Sequence, residues 1–152
     1  MFNFKKTVAF LFFIFLTSCG YTPVLETQKT IGINNLSFEG DRKLNNHIFS
    51  KLKKFTKGDN NSENFNIIIT SKYTKTVANK DKKGNPKNFN LNAKVELKIS
   101  KINKKQKVEN FEKNMSLASQ SKKFNEKELE NKYIRDLSII IAEDIIFYLK
   151  TQ

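Results

Sequence analysis

Along the chain the apolar residues recur either at every second position or at every third to fourth, and each change of spacing marks an element boundary. In residues 30 to 38, TIGINNLSF, Ile31 and Ile33 alternate in one phase and Leu36 and Phe38 in the other. This predicts a strand with a bulge near Asn34-Asn35. Behind Asp41, Leu44, Ile48, Phe49, Leu52 and Phe55 recur at helical spacing with lysines between them. An amphipathic helix is expected there, with the Asp41 carboxylate accepting from the free N–H groups of its first turn. Lys57-Gly58-Asp59-Asn60 should end it. A second strand begins at Phe65, Ile67 and Ile69, alternating with Asn66, Ile68 and Thr70, and can continue through Tyr73. Residues 74 to 88, TKTVANKDKKGNPKN, are polar and lysine-rich and predict a basic loop or ragged hairpin tip.

The clearest strand follows. Phe89, Leu91, Ala93, Val95, Leu97 and Ile99 alternate with Asn90, Asn92, Lys94, Glu96, Lys98 and Ser100, giving one dry and one wet face. Asn103-Lys104-Lys105-Gln106 reads as a turn into a return strand from Lys107 to about Ser119. Its inward residues are expected to be Phe111, Met115 and Leu117, with the register disturbed near Val108 or Lys113. Asn125 then caps a last helix with Glu128 in its third position. Leu129, Tyr133, Leu137, Ile140, Ile141, Ile145, Tyr148 and Leu149 form the stripe of that helix, widened by Ile139 and Phe147. Every element is amphipathic and needs a partner face. The fold class is therefore α+β, a two-layer sandwich with two helices on one face of a small four-stranded, mostly antiparallel sheet.

The N-terminus does not belong to that domain. MFNFKKTVAFLFFIFLTSC has a basic start at Lys5-Lys6, a nine-residue apolar run from Val8 to Leu16, and small residues up to Cys19. This is the pattern of a signal peptide. The run is well short of the roughly 20 apolar residues that span a bilayer. Leu16-Thr17-Ser18-Cys19 resembles the bacterial lipobox, in which the Cys is acylated and becomes the mature N-terminus, so Cys19 is the candidate lipidation site. Gly20 after it, in place of Asp, resembles an outer-membrane sorting signal. The expected organisation is a signal peptide over 1–18, a lipidated tether over 19–29 that contains Pro23, and the α+β domain over 30–152.

Charge and composition narrow the chemistry. The 152 residues carry a formal net charge of +13, which falls to +11 once Lys5 and Lys6 are removed with the leader. A surface this basic attracts anionic lipids, sugars or polyanions without choosing among them. With one Cys and one His, the chain has no intramolecular disulfide, no Cys-rich zinc site and no Cys–His nucleophile. No cofactor or metal is expected. His47 is a lone helix residue, Glu143 and Asp144 diverge around their helix, and Gly40, Gly58 and Gly84 lack phosphate-loop spacing. An enzyme is disfavoured. Lys80, Lys82, Lys83 and Lys87, together with Lys104, Lys105 and Lys107, can form two electropositive ends of the sheet, either as a solvated surface or as an anion-binding one. The polar face bearing Asn90, Asn92 and Lys94 is a second candidate surface.

CGYTPVL, Cys19 to Leu25, resembles the start of mature LptE lipoproteins of the alphaproteobacterial type, and the order of elements extends the resemblance to the end of the chain. It takes in the strand at Ile31–Phe38, the helix start at Asp41-Arg42-Lys43-Leu44, the later strands, and a final helix bearing Tyr133, Leu137, Ala142 and Ile145. The resemblance implies a non-enzymatic outer-membrane lipoprotein on the periplasmic face. Such a protein plugs an LptD-like β-barrel, assists its assembly, and helps insert lipopolysaccharide into the outer leaflet. It also implies lipopolysaccharide contact at Lys82, Lys83 and Lys87. Two alternatives differ in class. One is an independent periplasm-facing structural lipoprotein that binds another envelope protein or a cell-wall polyanion. The other is a membrane-anchored hydrolase, which would need His47 beside a Ser and a carboxylate.

Overall fold

The computed structural model describes residues 31–56, 63–101 and 105–152. The leader, Cys19, the tether, the predicted helix stop at 57–60 and Lys104 lie outside the described residues. Four strands and two helices follow one another as β1 (Ile31–Gly40), α1 (Arg42–Leu52), β2 (Glu63–Lys80), β3 (Pro86–Ser100), β4 (Lys107–Ala118) and α2 (Lys123–Lys150), with a 3₁₀ turn at Lys53–Phe55 after α1. The sheet order is β1-β2-β3-β4. β1 runs parallel to β2, as a strand must when a helix carries the chain back, and the other two pairings are antiparallel. The two-layer α+β sandwich expected from the periodicity is the fold observed.

Its core is the dry face of the sheet covered by the two helices. The six apolar residues Phe89 to Ile99 of β3 are all buried, and they meet Phe65, Ile67 and Ile69 of β2, Leu44, Ile48 and Leu52 of α1, and Ile134, Leu137, Ile141, Ile145 and Leu149 of α2. The bulge in β1 falls where the phase change placed it. The register shifts between Ile33 and Asn35, so Ile33 faces Phe65 while Leu36 and Phe38 still meet Ile67 and Ile69. One extra residue thus brings both alternations onto the same face. Asp41 caps α1, its Oδ1 accepting from the N–H groups of Lys43 and Leu44 at 2.9 Å each.

Four expectations are corrected. The basic loop over 74–88 is mostly strand, since β2 runs to Lys80 and β3 starts at Pro86, leaving only Asp81–Asn85 as turn. The long partner β3 pairs with the polar stretch position by position, and that ladder outweighs the weak local pattern. The register of β4 is continuous from Lys107 to Ala118. Lys113 sits in the inward phase without breaking it, because its ammonium reaches Asp144 of α2 at 2.8 Å. The helix α2 begins at Lys123, with Lys122 as an N-cap that makes no side-chain bond, so Asn125 lies inside the helix instead of capping it. Finally, Phe49 is half-exposed on α1, edge-on to Phe38 with ring centroids 5.9 Å apart, and Phe147 projects from α2 at 71 % exposure.

Candidate functional site

The lysines singled out by sequence stand at the far end of the β2–β3 hairpin. Lys82 and Lys83 lie in the turn, and Lys87 is the second residue of β3. All three are exposed, and among the described residues none of their ammonium groups is in an ion pair. Asp81 builds the turn beneath them: its Oδ1 accepts from the N–H groups of Lys83 and Asn85 at 2.8 Å each, and its Oδ2 from Asn85 Nδ2 at 3.1 Å. The Asn85 side chain and these backbone donors hold the Asp81 carboxyl below the usual carboxylate range. That carboxylate is committed to the turn, so the tip presents lysines without an opposing free acid. Lys105 and Lys107 lie at the other end of the sheet, where Lys107 Nζ donates to Gln152 Oε1 at 2.6 Å. The fifteen residues of β3 separate the two basic ends by about 45 Å.

The face of the sheet turned away from the helices is polar over its half nearer the hairpin tip, while exposed Ile68 and Val108 flank Lys98 toward the other end. Register sets Thr76, Asn90 and Ser116 in one row, Thr74, Asn92 and Asn114 in the next, and then Lys72, Lys94 and Glu112. Asn92 Nδ2 donates to Glu112 Oε1 and Asn114 Oδ1, both at 2.6 Å, and Lys94 pairs with Glu112 at 3.3 Å. Asn90, Asn92 and Lys94 are thus members of a cross-strand polar platform. No described element packs on that face.

A partly buried polar cluster escaped the sequence reading. Lys75 of β2 occupies the inward phase, opposite Leu91, and its ammonium contacts Glu126 at 3.1 Å and Glu130 at 2.9 Å, both on α2. The same ammonium stands 4.2 Å above the Phe89 ring. Glu126, only 6 % exposed, also accepts from the Gln120 N–H and the Ser119 hydroxyl, each at 3.3 Å, while Tyr73 donates to Glu130 at 2.9 Å. Burial works against the Glu126 charge, but Lys75 and the Gln120 N–H outweigh it and hold the carboxyl below its ordinary value. Burial and the Glu130 carboxylate push the Tyr73 phenol up. The cluster clamps the outer half of the hairpin to the start of α2. Two signals in the chain mark it: a lysine in the apolar phase of β2, and two glutamates four residues apart on one helix face.

Between α1 and the first turns of α2 runs an open groove of about 700 Å³, lined among others by His47, Glu128, Asn131, Lys132 and Arg135. On the same helix the Ser50 hydroxyl donates to the His47 backbone carbonyl at 2.7 Å, so it is bonded to the helix and not to the His47 ring. Among the described residues, no cluster of three His, Cys, Asp or Glu side chains is placed to hold a metal ion, and no helix is long and apolar enough to cross a membrane.

No protein-family model matches the chain, and no curated protein matches it in sequence. Solved structures do match in three dimensions. Rare lipoprotein B from Shewanella oneidensis superimposes with a TM-score of 0.60 at 14% identity, over 78% of this chain and 95% of that one. Lipoprotein B from Nitrosomonas europaea gives 0.55 at 12% identity, over 80% and 86% of the two chains. A lipoprotein from Caulobacter crescentus gives 0.52 at 12% identity, over 78% and 88%. At such identities the likeness is one of fold: two helices on a four-stranded sheet, as found in small bacterial lipoproteins.

Proposed function

We propose that this chain is a lipid-anchored envelope lipoprotein, held at Cys19, whose domain faces the periplasm and works without catalysis by binding another envelope component. The lipobox and the shared lipoprotein fold support the anchor. One observation carries the binding role: among the described residues nothing covers the polar platform of β2, β3 and β4 or the basic hairpin tip beyond it, while the opposite face of the same sheet is sealed by both helices. Gentle solubilisation of native membranes, purification of the tagged chain and identification of its stable partner tests this, with Cys19→Ser as the anchoring control. Recovery of a near-stoichiometric envelope protein is the expected result. Recovery of the chain alone refutes the reading.

A narrower form makes the partner an LptD-like barrel and the cargo lipopolysaccharide. The lumen of such a barrel is polar and wet, and the platform is a surface of that character. In this form Lys82, Lys83 and Lys87 meet glycolipid phosphates, for which the unpaired ammonium groups at the tip are suited. Changing the three to Glu should weaken lipopolysaccharide binding at least tenfold at low salt while leaving stability within about 0.5 kcal/mol, since exposed sites contribute little to it. Equal binding by the variant removes the tip from the site.

A further inference from the structure

The pairing of the sheet is incomplete on one side. β1 accompanies β2 only from Glu63 to Ser71, and β2 then continues to Lys80 with no described strand on that flank. The departure is fixed in the backbone. Gly40 has φ +90°, and the Asp41 N–H donates to the Ser71 carbonyl at 3.0 Å as the chain turns away into α1. The Ser71 carbonyl therefore points toward the vacated flank. Because N–H and C=O groups alternate sides along a strand, Tyr73, Lys75 and Val77 direct theirs the same way, until the register shift after Val77 ends the regular ladder. Among the described residues nothing bonds to the backbone of these three on that flank. They form a short, open template for strand addition.

We infer that this edge, from Lys72 to Val77, receives an extended acidic segment of the protein partner, which continues the sheet in line with β1. The inference rests on the binding role proposed above and names the kind of segment bound. Charge decides the occupant. Lys72 is exposed beside the edge, and Lys80, Lys82, Lys83 and Lys87 crowd its far end. Of the acids nearby, Asp81 is held by its own turn and Glu126 and Glu130 by Lys75, which leaves Glu39 at the near end, 3.5 Å from the Thr70 hydroxyl, outnumbered by the lysines. A second copy pairing here would lay lysine against lysine, which opposes association. Of the two terminal strands, β4 carries Glu109 and Glu112 among Lys107 and Lys113 and so favours neither sign, and β1 has Glu39 as its one charged residue, which does not attract an acidic segment. Val77, 44 % exposed, offers the apolar contact that a strand partner's alternate side chains can use.

The probe is an acetylated nine-residue peptide alternating glutamate with valine, titrated into the purified full chain in detergent micelles while amide exchange is followed residue by residue. Exchange should slow at Tyr73, Lys75 and Val77. A lysine-for-glutamate peptide, and the acidic peptide N-methylated along its centre, should not slow it. Val77→Pro removes a donor that the domain itself does not use, so a folded variant should bind the peptide at least tenfold more weakly, whereas Val77→Thr keeps the N–H and the affinity. If Val77→Pro fails to fold, the N-methylated peptide against the unaltered chain decides the matter. Protection along β4 instead, equal binding of both peptide charges, undiminished binding by folded Val77→Pro, or self-association through this edge would each overturn the inference. Co-purification separates the two levels: a partner retained by folded Val77→Pro refutes the edge and leaves the binding role standing, whereas no partner for the unaltered chain refutes that role.

Discussion

Gly40→Ala is expected to be far more damaging than its exposed position implies. Two costs combine at that residue. With φ at +90°, any L side chain pays about 1–2 kcal/mol for the left-handed backbone. A Cβ placed there would also lie 1.9 Å from the Ser71 carbonyl oxygen and 2.9 Å from its carbon. Those neighbours are backbone of the central ladder and cannot swing aside as a side chain could. Relief requires β1 to lift from β2, which sacrifices the bond from Asp41 N to Ser71 O and loosens the Asp41 cap of α1, worth about 1 kcal/mol each. The total is about 3–4 kcal/mol, or a fall in Tm of roughly 10–20 °C for a domain of this size. Gly84→Ala is the internal control, because Gly84 has nearly the same φ, +86°, with nothing within 4 Å of the added Cβ. It should lose only about 1–2 kcal/mol. Urea unfolding followed by circular dichroism measures both. Equal losses for the two variants would refute the close approach of β1 to Ser71, and with it the fixed departure that leaves the β2 edge open.

Other predictions concern the interior. The Glu126 carboxyl is held below its unfolded value, so between the two values the unfolded chain binds more protons than the folded one, and stability falls as pH drops. The contribution is complete above about pH 4.5, the ordinary value, and is lost on acidification through the folded one. Glu126→Gln should therefore flatten the acid limb of a stability-against-pH curve, and an unchanged limb would place the acid sensitivity elsewhere. Leu137→Ala, at a fully buried position of α2 facing the sheet, should cost about 2–5 kcal/mol in urea unfolding, and a loss under 1 kcal/mol would mean that α2 does not seal the core there.

Several features of this protein follow from its sequence alone. Period-two alternation in β3 forces one dry face, and the 3.6-residue stripes of α1 and α2 force each helix to bury a side, so the two-layer sandwich is already implied. The phase change at Asn34-Asn35 reveals the bulge, and Asp41 reveals the cap, because both depend on neighbours close in the chain. Lys82, Lys83 and Lys87 can be placed near a turn for the same reason.

What depends on distant partners was decided only in three dimensions. Residues 74–80 read as loop because Lys and Asn, which disfavour strands, are interleaved with the strand-favouring Thr and Val, and pairing with β3 makes them strand. Lys113 looked like a break in β4 until Asp144 stood opposite it, and Asn125 looked like a cap until the helix began before it. Lys75 became the centre of a partly buried clamp only when α2 brought Glu126 and Glu130 over the hairpin. The edge of β2 that no described strand covers has no local signature at all. It exists because β1 ends at Gly40, thirty-one residues before the Ser71 it leaves, and the backbone groups this frees belong to a strand whose own sequence records nothing of their exposure.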